Sequence, residues 1–212
     1  MSLETGHMTG TVRVGKRIYA VALGWNSASR AGTAAKEARA EAAQSGIDAD
    51  FFCVRTGQTS QYGHGWKSYG HKVGQPSLAA HLADSVDGSW IGAFEVDDGY
   101  YVVAINEDAV LAESDRFFES RDEAYTAFAD LFYVGEWPKA YAPKSWEVEN
   151  ASETDLEDLL DGKPKAKLVE VNRTKNLIKL AVLAAVGAAA VIGGWQAIQS
   201  YRADLERQQR QE

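Results

Sequence analysis

Apolar and polar positions change period several times along the chain, and each change predicts an element. TVRV, a Gly15-Lys16 turn and RIYAVALGW are rich in β-branched and aromatic residues, which predicts a β-hairpin over residues 11–25. Residues 30–44 interleave alanine with Lys, Arg and Glu and stop at Ser45-Gly46, the pattern of a helix with glycine at its C-terminal end. DFFCVRT predicts a short strand, whereas residues 56–75, rich in Gly, Ser, Gln and His, predict a long loop. Pro76 opens a short helix with Leu78 and Leu82 on one face. SWIGAFEV and YYVVAIN flank Asp97-Asp98-Gly99, a strong hairpin signal, and a third short strand is expected at residues 109–112. Ser120 and Glu123 have capping-box spacing ahead of a helix whose apolar face is Ala124, Phe128, Leu131 and Phe132. An irregular Trp/Pro/Tyr stretch follows over residues 137–146. A last acidic helix over residues 154–160 stops at Gly162, with Pro164 beyond.

These elements predict one α+β domain with a mixed or antiparallel sheet over residues 9–162. Residues 1–8, without periodicity and ending on a second methionine, Met8, are set aside as a leader or expression remnant.

The period then disappears. Residues 180–201, LAVLAAVGAAAVIGGWQAIQSY, contain no Asp, Glu, Lys or Arg. At 1.5 Å per residue a helix of that length matches the ~30 Å hydrocarbon core of a bilayer. Trp195 and Tyr201 lie where interfacial aromatics belong, and no polar face recurs at helical period before Gln196. A single transmembrane helix is expected. Before it lie Lys163, Lys165, Lys167, Arg173, Lys175 and Lys179 against one acid, Glu170. After it, Arg202, Arg207 and Arg210 are matched by Asp204, Glu206 and Glu212. The excess of bases on the N-terminal side predicts that this side is cytoplasmic. Residues 163–179 thus form a basic juxtamembrane tether whose six bases are expected to hold anionic lipid headgroups.

Charge and cysteine content exclude several classes. The chain of 212 residues carries a net charge of −8, and residues 1–162 alone, with 13 bases and 26 acids, carry −13. No nucleic-acid partner is expected of such a surface, because phosphate binding relies on bases. The single cysteine, Cys53, excludes an intrachain disulfide framework and is expected to be a buried structural thiol. Gly63, Gly65 and Gly70 miss the dinucleotide spacing because Ser68 holds the third position, and Gly70-His71-Lys72 does not end a phosphate loop. His64, His71 and His81 lack metal-ligand spacing and are expected on a loop and a helix surface. No Gly-x-Ser-x-Gly elbow positions a nucleophile. No catalytic residue, cofactor or metal is expected.

Interaction signals are better defined. Ala181, Ala185, Ala189, Gly193 and Ala197 recur every four residues, which predicts close packing against another helix. Ile198, Tyr201 and Leu205 continue a 3–4 spacing into residues 202–212, as at the start of a periplasmic coiled coil that the natural protein is expected to continue. Self-association through span and coiled coil is therefore expected. Trp137, Tyr141 and Trp146, with Asp155 and Asp158, are the expected partner surface, since aromatics anchor interfaces and charge steers association.

VRVGKRIYAVALGW, ADFFCVR, GHKVGQPSLAAHLA, GSWIGAF and YAPKSW resemble the N-terminal region of the PilO-type pilin accessory proteins of bacterial type IVb (thin) pilus systems. The resemblance covers roughly residues 10–205 and rests on several separated motifs. It implies a bitopic inner-membrane protein with a cytoplasmic N-terminal domain and a periplasmic C-terminal domain. It further implies a non-enzymatic scaffold joining the pilus assembly ATPase and the polytopic platform protein to periplasmic pilus components. A weaker analogy with related secretion components suggests a degraded actin-like fold. The alternative is a membrane-anchored ligand- or nucleotide-sensing domain, using the 56–75 loop and the Asp98-Gly99 turn.

Overall fold

A computed structural model describes residues 10–44 and 46–171. The hairpin β1 (Thr11–Val14) and β2 (Arg17–Ala20) turns at Gly15, whose φ of 56° is the left-handed conformation that glycine adopts without cost. The expected second strand of this hairpin is in fact two. Ala22 has a φ of 55°, which ends β2, and β3 (Gly24–Ser27) departs to pair with a different sheet. After a short 3-10 turn, α1 (Ala34–Ala42) buries Ala34, Ala38 and Ala42, one side chain every helical turn.

Strand β4 (Phe51–Thr56) is as expected, but the long loop is not. Ser60–Gly65 forms β5, buried at all six positions and central in an antiparallel sheet of order β11-β4-β5-β3, where β11 is Val169–Glu170. Its glycines are there for space. A Cβ on Gly63 would lie 3.2 Å from the Trp25 ring, and one on Gly65 would lie 3.0 Å from Nδ1 of His71. A 3-10 turn over Lys67–Tyr69 then closes on Gly70.

Helix α2 (Leu78–Ser85) begins at Ser77, whose hydroxyl accepts the Ala80 N–H at 3.2 Å. Strands β6 (Trp90–Val96) and β7 (Gly99–Asn106) form the expected hairpin, and β8 (Ala109–Val110) extends it. A strand that carries too few residues for a periodic signal, β9 (Arg116–Phe118), also pairs with β7. Helix α3 (Arg121–Phe132) starts at Ser120, which accepts the Glu123 N–H. The stretch expected to be irregular contains β10 (Lys139–Tyr141), parallel to β6, and a 3-10 turn over Lys144–Trp146. The acidic helix α4 is shorter than expected, Leu156–Leu159.

The β10-β6-β7-β8 sheet is mixed and is buried on both faces. Along β6 and β7, Trp90, Phe94, Tyr101, Val103 and Ile105 join α2 and the β1–β2 hairpin in one core. The alternate residues Ile91, Ala93, Val102 and Ala104 meet Ala124 and Phe128 of α3 in a second core. A third core lies under α1, against Phe52 and Tyr62. Gln61 stitches the two sheets together. Its Nε2 donates to the Val110 carbonyl at 2.9 Å, and its Oε1 accepts the Val110 N–H at 2.8 Å. The architecture is therefore α+β with one mixed and one antiparallel sheet, plus a separate hairpin.

The fold runs beyond the expected boundary at residue 162. Ala166, Leu168 and Val171 are buried and β11 pairs with β4, so residues 163–171 belong to the same compact unit rather than to a free tether. No helix among the described residues is long and apolar enough to cross a membrane. The remaining expectations, for residues 1–8, the tether bases Arg173, Lys175 and Lys179, the 180–201 span with its small-residue ladder, and the coiled coil over 202–212, lie outside the described residues.

Candidate functional site

The aromatic partner surface expected from sequence is largely interior. Trp146 is 5% exposed, with the rings of Tyr125, Tyr100 and Phe128 at 5.4–5.8 Å. Tyr141 is half-buried against Trp90, edge-on at 5.8 Å. Trp137, also half-buried, donates from Nε1 to the Leu131 carbonyl at 3.0 Å and so satisfies an end carbonyl of α3. Trp146 and Trp137 close the second core while Tyr141 packs on the first, because β10 lies against β6 and the following 3-10 turn folds over α3. Asp155 and Asp158, in contrast, are exposed at the start of α4.

Two other residues take the exposed apolar position. Tyr133 and Val134, just past α3, are 72% and 88% exposed, next to the exposed acids Asp130 and Glu136. Single exposed apolar side chains are ordinary, but two adjacent ones rimmed by charge have the make-up of a contact point. The hydrophobic pattern of α3 gave no sign of it, because Leu131 and Phe132 carry the same residue character but turn inward.

Basic residues are ordered by local geometry. Lys163, Lys165 and Lys167 are exposed, while Pro164, Ala166 and Leu168 between them are buried, the alternation of an extended chain. Lys165 also approaches Asp84 at 3.9 Å. Asp84 belongs to an ionic cluster around one buried arginine that the sequence did not reveal. Arg55, 4% exposed, donates from Nε to Asp84 at 2.8 Å and from Nη2 to the Ala83 carbonyl at 3.1 Å. Its Nη1 meets the carbonyl of Asp108 and the Asp108 carboxylate, the latter at 3.4 Å. Burial pushes the Asp108 carboxyl up, but the Thr59 N–H and Arg55 outweigh it and hold the group below its ordinary value.

The three histidines correct an expectation, since all are buried and bonded to the backbone. Nε2 of His64 donates to the Ala38 carbonyl at 2.8 Å. Nε2 of His81 donates to the Asp161 carbonyl at 2.9 Å, and its Nδ1 faces the Tyr19 hydroxyl at 3.0 Å. His71 is bracketed. It accepts the Trp66 N–H on Nδ1 at 2.9 Å and donates from Nε2 to the Val21 carbonyl at 2.8 Å, which requires the neutral ring. Burial lowers its pKa below the ordinary 6.5, despite the opposing backbone bonds. The unfolded chain therefore binds the proton that the folded one refuses. The stability from His71 is complete above pH 6.5 and is lost as pH falls below that value toward the folded pKa. Urea unfolding between pH 7 and pH 5 should show the midpoint falling, with a flatter dependence in His71→Gln.

Cys53 is 1% exposed in β4, and burial pushes its thiol up to about 12, so it is a packed and unreactive group. Among the described residues no three His, Cys, Asp or Glu side chains group as metal ligands. The loop assigned to ligand sensing contains β5 and the 3-10 turn over Lys67–Tyr69. The Asp97-Asp98 turn borders a cleft of about 180 Å³, in which the two carboxylates stand against a single base, Arg13. That volume is below the roughly 300 Å³ at which small-molecule sites begin.

The described residues thus define an α+β domain whose buried titratable groups are bonded to its own backbone and side chains, and whose free chemistry is a set of charged and apolar surface points. The chain belongs to the pilin accessory protein (PilO) family, whose model matches residues 19–212. It is also similar to the crystal structure of the cytoplasmic domain of BfpC, at 26% sequence identity and a TM-score of 0.63, over 77% of this chain and 99% of that one. No curated protein matches it.

Proposed function

We propose that the protein is a non-enzymatic, single-pass scaffold of a type IV pilus assembly machine in the bacterial inner membrane, with its N-terminal domain in the cytoplasm. The observation that carries this reading is one family match running from the folded domain through the uncharged stretch 180–201 to residue 212. Likeness to a solved cytoplasmic domain, and the bases that precede that stretch, support the orientation. The partners on the cytoplasmic side are the assembly ATPase and the polytopic platform protein. Those beyond the membrane are periplasmic pilus components. The small-residue ladder and the apolar spacing after it support self-association.

Docking of the ATPase uses the exposed Tyr133–Val134 point with its neighbouring acids Asp130 and Glu136, and the acids of α4, Asp155 and Asp158. An apolar anchor ringed by charge suits a salt-sensitive, reversible contact. The test is retention of purified ATPase and platform protein on the immobilised, detergent-solubilised chain, at two salt concentrations and with nucleotide turnover followed in parallel. The chain alone should turn over no ATP. Tyr133→Ser with Val134→Ser should weaken ATPase retention by about tenfold, as loss of one interface anchor does, without changing the melting temperature. Undiminished retention by that double variant would move the contact elsewhere on the domain.

A further inference from the structure

The chain leaves the described fold at Val171, and the surface beside that exit is assembled from two stretches almost a hundred residues apart. Residues 163–169 run extended, and their alternation puts Lys163, Lys165, Lys167 and Val169 outward. At about 3.3 Å per residue the outer two lysines lie roughly 13 Å apart. The inward side pairs with residues 74–77. The Gly74 N–H donates to Leu168 O at 2.8 Å, the Leu168 N–H to Gln75 O at 2.8 Å, and the Ser77 N–H to Ala166 O at 3.0 Å. This antiparallel pairing places Lys72 and Val73, both exposed, at the Val169 end of the lysine row. Val73 is 57% exposed and Val169 36%, two of the large apolar side chains that the fold leaves in water. The acids nearby are Asp84, which holds Lys165 at 3.9 Å, Glu170, the exposed Asp161 two residues before Lys163, and Asp50, which Lys67 meets at 3.4 Å, so with Lys67 five lysines stand against four acids.

Position in the chain says what covers this face. Residues 172–179 separate Val171 from the uncharged stretch at 180–201, and eight extended residues reach about 29 Å at most. They add Arg173, Lys175 and Lys179 to the same polarity. A face this near a bilayer, basic on a domain that is otherwise strongly acidic, meets phosphate headgroups first. Lysine suits them, since a point charge on a flexible stem follows mobile phosphates without fixed geometry. Exposed valines among the lysines have the interfacial region to enter.

We infer that the face formed by Lys72, Val73, Lys163, Lys165, Lys167 and Val169 docks on an anionic phospholipid surface and holds the domain against the membrane. The inference rests on the single-pass reading above and adds to it a fixed orientation of the domain. Attachment through bases weakens with salt, because the screening length at physiological ionic strength is only about 8 Å.

The buried Cys53 makes the test clean, since a cysteine introduced on the surface becomes the reactive thiol of the described domain. Full-length chain carrying Val73→Cys, and separately Val134→Cys on another element, would be reconstituted in lipid nanodiscs, either zwitterionic throughout or about one-third anionic. The rate of alkylation by an uncharged maleimide is read in each. The expected result is that Val73→Cys reacts about fivefold more slowly in the anionic discs, while Val134→Cys reacts equally in both. Lys72→Gln with Lys163→Gln, Lys165→Gln and Lys167→Gln should restore the fast rate at Val73→Cys. Equal rates for Val73→Cys in the two discs, or the same slowing at Val134→Cys, would overturn the inference while leaving the single-pass reading intact. A chain stripped from the lipid by alkaline carbonate would overturn that reading and the inference with it.

Discussion

Asp115→Ala should destabilise the domain by about 4 kcal/mol, more than any other single truncation considered, because one buried carboxylate terminates four donors. Oδ1 accepts the Ala22 N–H at 3.0 Å and the Tyr101 hydroxyl at 2.9 Å. Oδ2 accepts the Leu23 N–H at 3.2 Å and the Trp25 indole N–H at 2.8 Å. Asp115 is 3% exposed, and burial raises its pKa although all four donors pull the other way. Without the carboxylate, two backbone N–H groups at the left-handed Ala22 and two large rings lose their partners in a space closed to water. Each orphaned donor costs about 1–3 kcal/mol, and the costs are not additive. Against a typical stability of about 5–15 kcal/mol, the loss leaves a measurable unfolded population at growth temperature. Asp115→Asn should lose less, because one oxygen survives while its NH2 faces donors. Urea unfolding followed by tryptophan fluorescence gives the order wild type, Asn, Ala. An alanine variant as stable as wild type would mean that water replaces the carboxylate.

The second large effect is expected at Arg55. Arg55→Met keeps much of the volume but removes the donors that hold Asp84, Asp108 and two backbone carbonyls. Breaking a fully buried pair costs about 3–5 kcal/mol, and the two acids here are 17% and 18% exposed, so about 2–3 kcal/mol is expected. Arg55→Lys should recover only part, since an ammonium cannot bridge four acceptors on two segments. The acid dependence carries a sign. Asp108, held below its ordinary 3.8, contributes stability that is present above that value and is lost as pH falls through the folded pKa. In Arg55→Met that acid-induced loss should shrink, since the guanidinium that lowers the pKa is gone. Unfolding curves at pH 7 and at about pH 2, below the ordinary carboxylate value, check both statements for both proteins.

Local signals recovered what local forces decide. The β6–β7 hairpin, the Ser120 start of α3 and the short α2 are set by turn chemistry and caps within a few residues, and all three stand where the pattern placed them. β5 was hidden for the opposite reason. Its glycines, glutamine and histidine read as loop, yet Gly63 and Gly65 make room for Trp25 and His71, while Gln61 and His64 turn inward to backbone partners. Strand propensity reports fit to a pleated surface, and this surface is shaped by residues distant in sequence. The aromatics at 137–146 were misplaced because the parallel β10–β6 pairing that turns them inward is long-range. Asp115 gave no local sign either, as three of its four donors lie 90 to 93 residues before it. The family, by contrast, was legible because its motifs are separated stretches of plain sequence, from VRVGKRIYAVALGW to YAPKSW.

The central claim is mechanical continuity between a cytoplasmic domain and a membrane anchor in pilus assembly. It is tested most directly by counting surface pili on bacteria that lack their own copy and receive the natural protein, either intact or divided between Val171 and Asn172 with both pieces expressed. The division spares the folded unit, which ends at Val171. Pili restored by the intact protein and absent with the divided one are predicted. Full piliation by the two pieces would contradict the account, since the parts would then act without being joined.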